Sequence, residues 1–317
     1  MEKLSRREFI GTAIAGAGVV AAGAVVTSRS AATTDPEPPA TWTPGPAPKT
    51  PTDLVQLGSS GLKISLVGIG TGSSGWGHQS NQTRLGQETF TGLMRHAFDN
   101  GINFFDLADQ YGSNPYFSKA MKGVPREKYV IQTKTNSRDP KKAREDIDRF
   151  LTELGTDYID SLIIHCVTEA DWTTRYRGVM DVFEEAKQKG KIRTRGVTCH
   201  SFEALKAAEA SDWVQVNQVR WNPRAAHMDA AVETVRALFK KMRARGQGMI
   251  GMKVVGQGDI VKGGQALTPD ACFRFQIESG VVDAFVVGVE SSDHIDQMIR
   301  GTQVALREVG YRHALAV

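Results

Sequence analysis

From Leu54 onward the chain alternates short apolar runs with amphipathic stretches. Eight runs are fully apolar or alternate with period two, as strands do: Leu66–Gly68, Asn103–Asp106, Tyr129–Thr133, Ser161–His165, Thr194–Val197, Val214–Gln218, Met249–Met252 and Ala284–Val287. Between them, apolar residues recur at helical spacing over Phe90–Asn100, Pro140–Leu154, Val179–Lys189, Phe202–Ala210, Ala230–Arg245, Pro269–Ser279 and His294–Thr302. Gly101, Gly155, Gly190, Gly246 and Gly280 follow helix ends, where a left-handed cap suits glycine. Eight such pairs in about 265 residues predict an α/β fold, a (β/α)8 TIM barrel, in preference to a doubly wound sheet. Ahead of them, two apolar arms in Leu54–Val67 flank Ser59, Ser60 and Gly61, which predicts an N-terminal β-hairpin.

Upstream of Leu54 the pattern changes twice. Met1–Ala32 has a basic start (Lys3, Arg6, Arg7), an uncharged run of small and apolar residues from Phe9 to Val26, and a small-residue stretch ending at Ala32. That is the layout of an export signal. Ser5-Arg6-Arg7-Glu8-Phe9-Ile10 resembles the twin-arginine signal, which implies the twin-arginine export machinery as a partner and a periplasmic destination. The alternative is an uncleaved segment that tethers the protein to a membrane, but the Gly/Ala-rich run is poorly hydrophobic and sits near the lower limit of about 18 residues for a span. No stable membrane insertion is expected after cleavage. Residues 33–53 form a Pro-rich linker, with seven of the chain's twelve prolines between Thr33 and Pro51. Residues 54–317 form the barrel domain.

Composition then excludes some classes. With 40% hydrophobic and 23% charged residues the chain carries enough apolar material for a large core. Its 39 Lys+Arg against 35 Asp+Glu give +4, and the leader holds Lys3, Arg6, Arg7 and Arg29 against Glu2 and Glu8, so the chain beyond Ala32 carries only +2 and is nearly neutral for its length. No basic cluster supports nucleic-acid binding. Cys166, Cys199 and Cys272 are scattered rather than spaced as a disulfide framework.

In a barrel of this kind chemistry belongs at the C-terminal ends of the strands. Polar, reactive residues stand there in "NFFDLADQYG", "YVIQTKT", "SLIIHCVT", "RGVTCHS" and "VQVNQVRWNP". "GINFFDLADQYG", followed by Lys134 and by His165 in "DYIDSLIIH", resembles the aldo-keto reductase family, as does the opening "LGSSGLKISLVGIGTG". The resemblance implies hydride transfer between NAD(P)H and an aldehyde or ketone, or the reverse oxidation of an alcohol. It places the catalytic residues at Asp106, Tyr111, Lys134 and His165. The chemistry is self-consistent. The alkoxide formed by hydride addition needs a proton, and a tyrosine of pKa near ~10 needs help to act near neutrality. Lys134 would lower the Tyr111 pKa, Asp106 would hold Lys134, and His165 would orient the substrate carbonyl.

For the cofactor, the resemblance implies Gly70 and Thr71 after the first barrel strand, and Thr198, Cys199 and Gln218 at the nicotinamide carboxamide. A thiol is a weak hydrogen-bonding group, so at Cys199 either His200 substitutes or Thr198 and Gln218 suffice. Met252 takes the place of a ring-stacking tyrosine. Gly288 and His294 fall at the adenosine end, where a lysine and an arginine are common in the family. NADP(H) is expected over NAD(H), with Lys253 a further cation for the phosphate. Outside the cytoplasm the enzyme would keep a cofactor bound before export.

Two motifs compete with this reading. Gly70-Thr71-Gly72-Ser73-Ser74-Gly75 fits G-x-G-x-x-G, but a polar, Gly-containing segment follows where a Rossmann turn needs an amphipathic helix. His165-Cys166 and Cys199-His200 stand on neighbouring strand ends, but adjacent strand residues face opposite ways, so no metal site is expected. A rival function, a cofactor-loaded redox-sensing or binding module with little turnover, is motivated by Cys199, Met252 and the missing arginine. Trp172, Arg175, Tyr176 and Arg177, with Arg220 and Trp221, are candidates for the substrate side.

Overall fold

The two arms around Ser59 to Gly61 pair antiparallel as β1 (Leu54–Gln56) and β2 (Lys63–Ser65) in a computed structural model that describes residues 42–310. The leader Met1–Ala32 and the first part of the Pro-rich linker lie outside the described residues. Gly61 takes the positive φ of 82° that the turn requires. Leu57 and Ile64 are fully buried, Ser59 N donates to Gly246 O at 2.8 Å, and Gly58 N donates to Asp283 Oδ2 at 3.2 Å, so the hairpin closes the N-terminal end of the barrel.

All eight expected strands form: β3 (Val67–Gly70), β4 (Phe104–Asp106), β5 (Val130–Thr135), β6 (Ile159–Val167), β7 (Ile192–Cys199), β8 (Val216–Arg220), β9 (Gly248–Met252) and β10 (Ala284–Gly288). They are parallel and follow one another around the barrel, with β10 closing onto β3 through Phe285–Val67 to Gly288–Gly70. The helices are α1 (Asn81–Arg84), α2 (Gln87–Asp99), α3 (Ser113–Ala120), α4 (Pro140–Leu154), α5 (Trp172–Arg175), α6 (Arg177–Gln188), α7 (Phe202–Glu209), α8 (Val232–Ala244), α9 (Pro269–Ser279) and α10 (Ser292–Val309). α4 begins at Asp139, whose carboxylate accepts from Lys142 N, with Pro140 in the first turn and Gly155 left-handed at the end. Its buried face is Ala143, Ile147, Phe150 and Leu154, at the i, i+4, i+7, i+11 spacing that lays one stripe on the sheet.

Between β6 and β7 the register shifts between Ile164 and Val167, a bulge in which Cys166 has φ of 53°. Bulges at barrel rims re-aim side chains. Here it separates His165, on the barrel axis, from Cys166 on the rim.

Candidate active site

The site grows from a buried polar network at the C-terminal end of the barrel. Asp106 ends β4, and both its oxygens are engaged. Oδ1 accepts from Lys134 Nζ at 2.6 Å and from Gln132 Nε2 at 2.8 Å, and Oδ2 accepts from Gln218 Nε2 at 2.8 Å. Ser161 Oγ donates to Gln132 Oε1 at 3.0 Å, so β4, β5, β6 and β8 contribute to one network. The network follows from strand parity: Gln132 and Lys134 are two apart on β5 and share the inward face. Lys134 is fully buried, and its ammonium also donates to Leu107 O at 2.9 Å. Burial pushes the Lys134 pKa down, and the Asp106 carboxylate opposes that.

Tyr111 closes the 3₁₀ turn Asp109–Tyr111 that follows β4. Its hydroxyl lies 3.2 Å from His165 Nε2, and the two rings meet edge to face. The Lys134 ammonium lies 4.9 Å from the centre of the Tyr111 ring. This corrects the expected effect of Lys134 on the phenol: the cation sits against the ring, with its protons on Asp106 and Leu107, and burial followed by the Asp106 charge pushes the Tyr111 pKa well above its usual value. His165 is buried, and desolvation with nearby Lys134 pushes its pKa well below the usual histidine range, so the ring is neutral.

Residue reasoning overlooked the partner that orients this ring. Asn136 Oδ1 lies 3.1 Å from His165 Nδ1, which makes Nδ1 the donor and Nε2 the acceptor of the Tyr111 hydroxyl proton. Turning the Asn136 amide would reverse the tautomer and let Nε2–H donate to a carbonyl. Asn136 stands two residues beyond Lys134, and that spacing was the available signal. Arg138 was also overlooked; its Nη2 donates to His165 O at 2.6 Å and spans the bulge.

A cavity of about 120 Å³ opens above the network, with Tyr111, His165, Asp106, His200, Met252, Lys253, Gly70 and Gly288 on its walls. A second cavity of about 330 Å³ shares Ser73, Gln257 and Gly288 with it and reaches His294, Glu290 and Lys262. Thus Gly70, Met252, Lys253, Gly288 and His294 lie along one continuous hollow. Thr71, Thr198 and Gln218 are buried behind it. The Thr71 hydroxyl donates to Asp106 O at 2.9 Å, and the Gln218 amide nitrogen is committed to Asp106.

Cys199 is placed differently from expectation. Arg193 and Arg195 mark the outer face of β7, and Cys199 shares their parity, while Thr194, Gly196 and Thr198 face the axis. The thiol is buried away from the hollow, and its pKa is pushed well up by burial. His200 reaches the cavity instead, with Nε2 3.8 Å from Cys166 Sγ. Trp172 and Trp221 are also fully buried, donating to Ala204 O and Ser279 Oγ, so neither forms an exposed aromatic wall.

The hollow fits a nicotinamide nucleotide. Thr198 Oγ1 and Gln218 Oε1 are buried without a hydrogen-bond partner, which leaves acceptors and a donor for an amide behind the cavity floor. Small residues, Gly70, Gly72, Ser73 and Gly288, line its path.

An eight-stranded parallel barrel with Tyr, His and a buried Lys–Asp pair at its C-terminal mouth defines a class of oxidoreductase. The model of the aldo/keto reductase family matches residues 66–270, and the chain belongs to that family. Its members use nicotinamide cofactors. Curated relatives include L-galactose dehydrogenase of Arabidopsis thaliana, 31% identical over 160 residues, covering 47% of this chain and 49% of the relative. NADH-specific methylglyoxal reductase of Escherichia coli is 28% identical over 165 residues, covering 45% of this chain and 50% of the relative. The matches therefore span about half the length of these relatives. Among solved structures, the holo form of aldo-keto reductase AKR11C1 from Bacillus halodurans superposes with a TM-score of 0.64 at 18% identity, over 83% of this chain and 97% of that one. At that identity the likeness speaks for the fold alone.

Proposed function

We propose that this chain reduces an aldehyde or ketone with NAD(P)H, with Tyr111 as the general acid. The observation that carries the reading is the Tyr111 hydroxyl, 3.2 Å from His165 and held protonated by its surroundings at the wall of the cavity. A reduced nicotinamide, when bound, supplies the hydride. Tyr111 Oη then gives its proton to the alkoxide oxygen, and the raised phenol pKa keeps that proton on the hydroxyl until the alkoxide forms. The tyrosinate left behind faces the Lys134 ammonium across its ring. With the Asn136 amide turned, His165 Nε2–H donates to the carbonyl oxygen and leaves the Tyr111 proton free for it, and Asp106 fixes Lys134.

Gly70, Thr198, Gln218, Met252 and Gly288 would hold the nicotinamide half, with His200 in the place expected of Cys199. At the adenosine end Lys262 shares a wall with Glu290 and with His294, whose Nδ1 accepts from Glu290 N at 3.3 Å, so a 2′-phosphate would meet the Lys262 ammonium. NADP(H) remains our choice on that ammonium. Relatives named for L-galactose and methylglyoxal support a small carbonyl or alcohol substrate. The leader pattern of Met1–Ala32 supports export of the folded, cofactor-loaded enzyme by the twin-arginine route to the periplasm.

Tyr111→Phe tests the reading. Removing a general acid lowers kcat by roughly 10²–10⁴-fold. Stopped-flow oxidation of NADPH by an aldehyde panel should show that loss, with NADPH binding retained by fluorescence titration. Turnover unchanged in the variant would refute the assignment.

A further inference from the structure

Lys253 follows β9 with φ of 54°, a left-handed conformation that is unfavourable for a residue with a Cβ. Such strain persists where the surroundings impose it, and it clusters at functional positions. Asn222 Nδ2 donates to Lys253 O at 3.2 Å and helps to hold it. The side chain forms part of the wall that also carries Tyr111, His165 and His200.

The nearby acids are committed elsewhere. Asp106 pairs with Lys134, Asp229 is gripped by the Arg220 guanidinium, and Asp259 Oδ2 lies 2.7 Å from His227 Nε2. Among the described residues, Lys253 has no carboxylate at ion-pair distance. Burial and the adjacent Arg220 push its pKa down, and the more distant Asp259, together with Cys166, opposes that shift without cancelling it. The larger cavity has its own ammonium in Lys262, and Lys253 is not on its wall. The surplus positive charge therefore belongs to the reaction-centre side of the hollow.

We propose that Lys253 anchors a carboxylate of the substrate, so that the compound reduced here is an oxo acid whose carbonyl lies at Tyr111 and His165. The inference rests on the hydride-transfer reading of the same site. It moves Lys253 from the cofactor phosphate to the substrate.

The test pairs succinic semialdehyde with its methyl ester as substrates, and succinate with succinamide as unreactive probes. Parent, Lys253→Met and Lys253→Arg are compared as full chains. A charged hydrogen bond in the cavity should make kcat/KM for the acid exceed that for the ester by about tenfold or more. Lys253→Met should abolish that ratio through KM for the acid, and Lys253→Arg should keep most of it. Calorimetry should show saturable succinate binding in the parent that Lys253→Met loses, and no succinamide binding. Equal use of acid and ester by the parent would overturn the proposal. So would a Lys253→Met protein that loses NADPH affinity while keeping the acid preference, since that assigns the ammonium to the nucleotide diphosphate. If neither aldehyde turns over, the hydride-transfer reading fails, and succinate calorimetry decides the anchor alone: binding lost in Lys253→Met upholds it, and no binding in the parent overturns it.

Discussion

Tyr111 is held by backbone as much as by side chains. A Cβ at Gly72 would stand 2.3 Å from the Cε2 and Cζ atoms of the phenol, and one at Gly75 would stand 2.3 Å from Cδ1. Both glycines belong to the segment that also fits a dinucleotide fingerprint. Their structural use is to let the loop after β3 lie flat against the reacting ring. A ring, unlike the end of a flexible chain, has no easy way to yield. Gly72→Ala should therefore cost about 1–3 kcal/mol by overpacking. Because a shift of about 1 Å at a reacting group can cost ~10²-fold, kcat should fall on that scale. Steady-state kinetics beside a urea melt check both numbers, and a normal kcat in a destabilised protein would show that the loop supports folding without positioning the phenol.

At the scale of elements, the ends of β6 and β7 bring two neutral histidines to the mouth. His200 is depressed to about 3 by burial, then by Arg220 and Lys253, and His165 is pushed down for the same first reason. In the unfolded chain both take a proton near pH ~6.5. A base with a depressed folded pKa contributes stability that is complete above the unfolded value and is lost as pH falls toward the folded one. His200 should therefore add about 1.4 kcal/mol per pH unit to the slope of stability between roughly pH 6.5 and 3, and His165 adds to the slope in the same direction below its unfolded pKa. His200→Gln should remove one histidine's share of that slope in urea melts at pH 4 to 7, and an unchanged slope would mean that His200 is protonated in the fold. The same elements show what residue order conveys. Every strand was legible from its apolar run, whereas Asp106, Tyr111, Lys134 and His165 stand out through the resemblance to the aldo-keto reductases. α3 was not legible, because Ser113–Ala120 carries Pro115 and a weak apolar stripe. Cys199 falls at the family's carboxamide position, but the resemblance does not fix which way the side chain faces, which depends on register and reverses with a shift of one residue. Nor does residue order say whether an ammonium meets a phenol at its hydroxyl or at its ring.

Across the whole molecule, stability and chemistry sit at opposite ends of the barrel. At the N-terminal end Arg243 Nη1 and Asp283 Oδ1 form a buried ion pair at 2.5 Å. The second oxygen of Asp283 accepts from Met249 N at 2.8 Å and Gly58 N at 3.2 Å, so one carboxylate joins the closing hairpin to β9 and α8. Trp42, from the end of the Pro-rich stretch, donates from Nε1 to Arg243 O at 2.7 Å and lies beneath the guanidinium. The last residues of the expected linker are thus docked on the barrel rather than free of it. Asp283→Ala would remove the carboxylate that pairs with the buried Arg243 guanidinium and accepts from two backbone amides. Breaking a buried pair in this way costs about 3–5 kcal/mol. The cost should show as a lower urea midpoint, while the folded fraction binds NADPH and turns over aldehyde as the parent does, because none of these groups touches the cavity. A proportionate loss of nucleotide affinity in the folded fraction would instead mean that the hairpin end and the catalytic mouth share one cooperative strain, and that the polar network through Gln132, Ser161 and Gln218 transmits it.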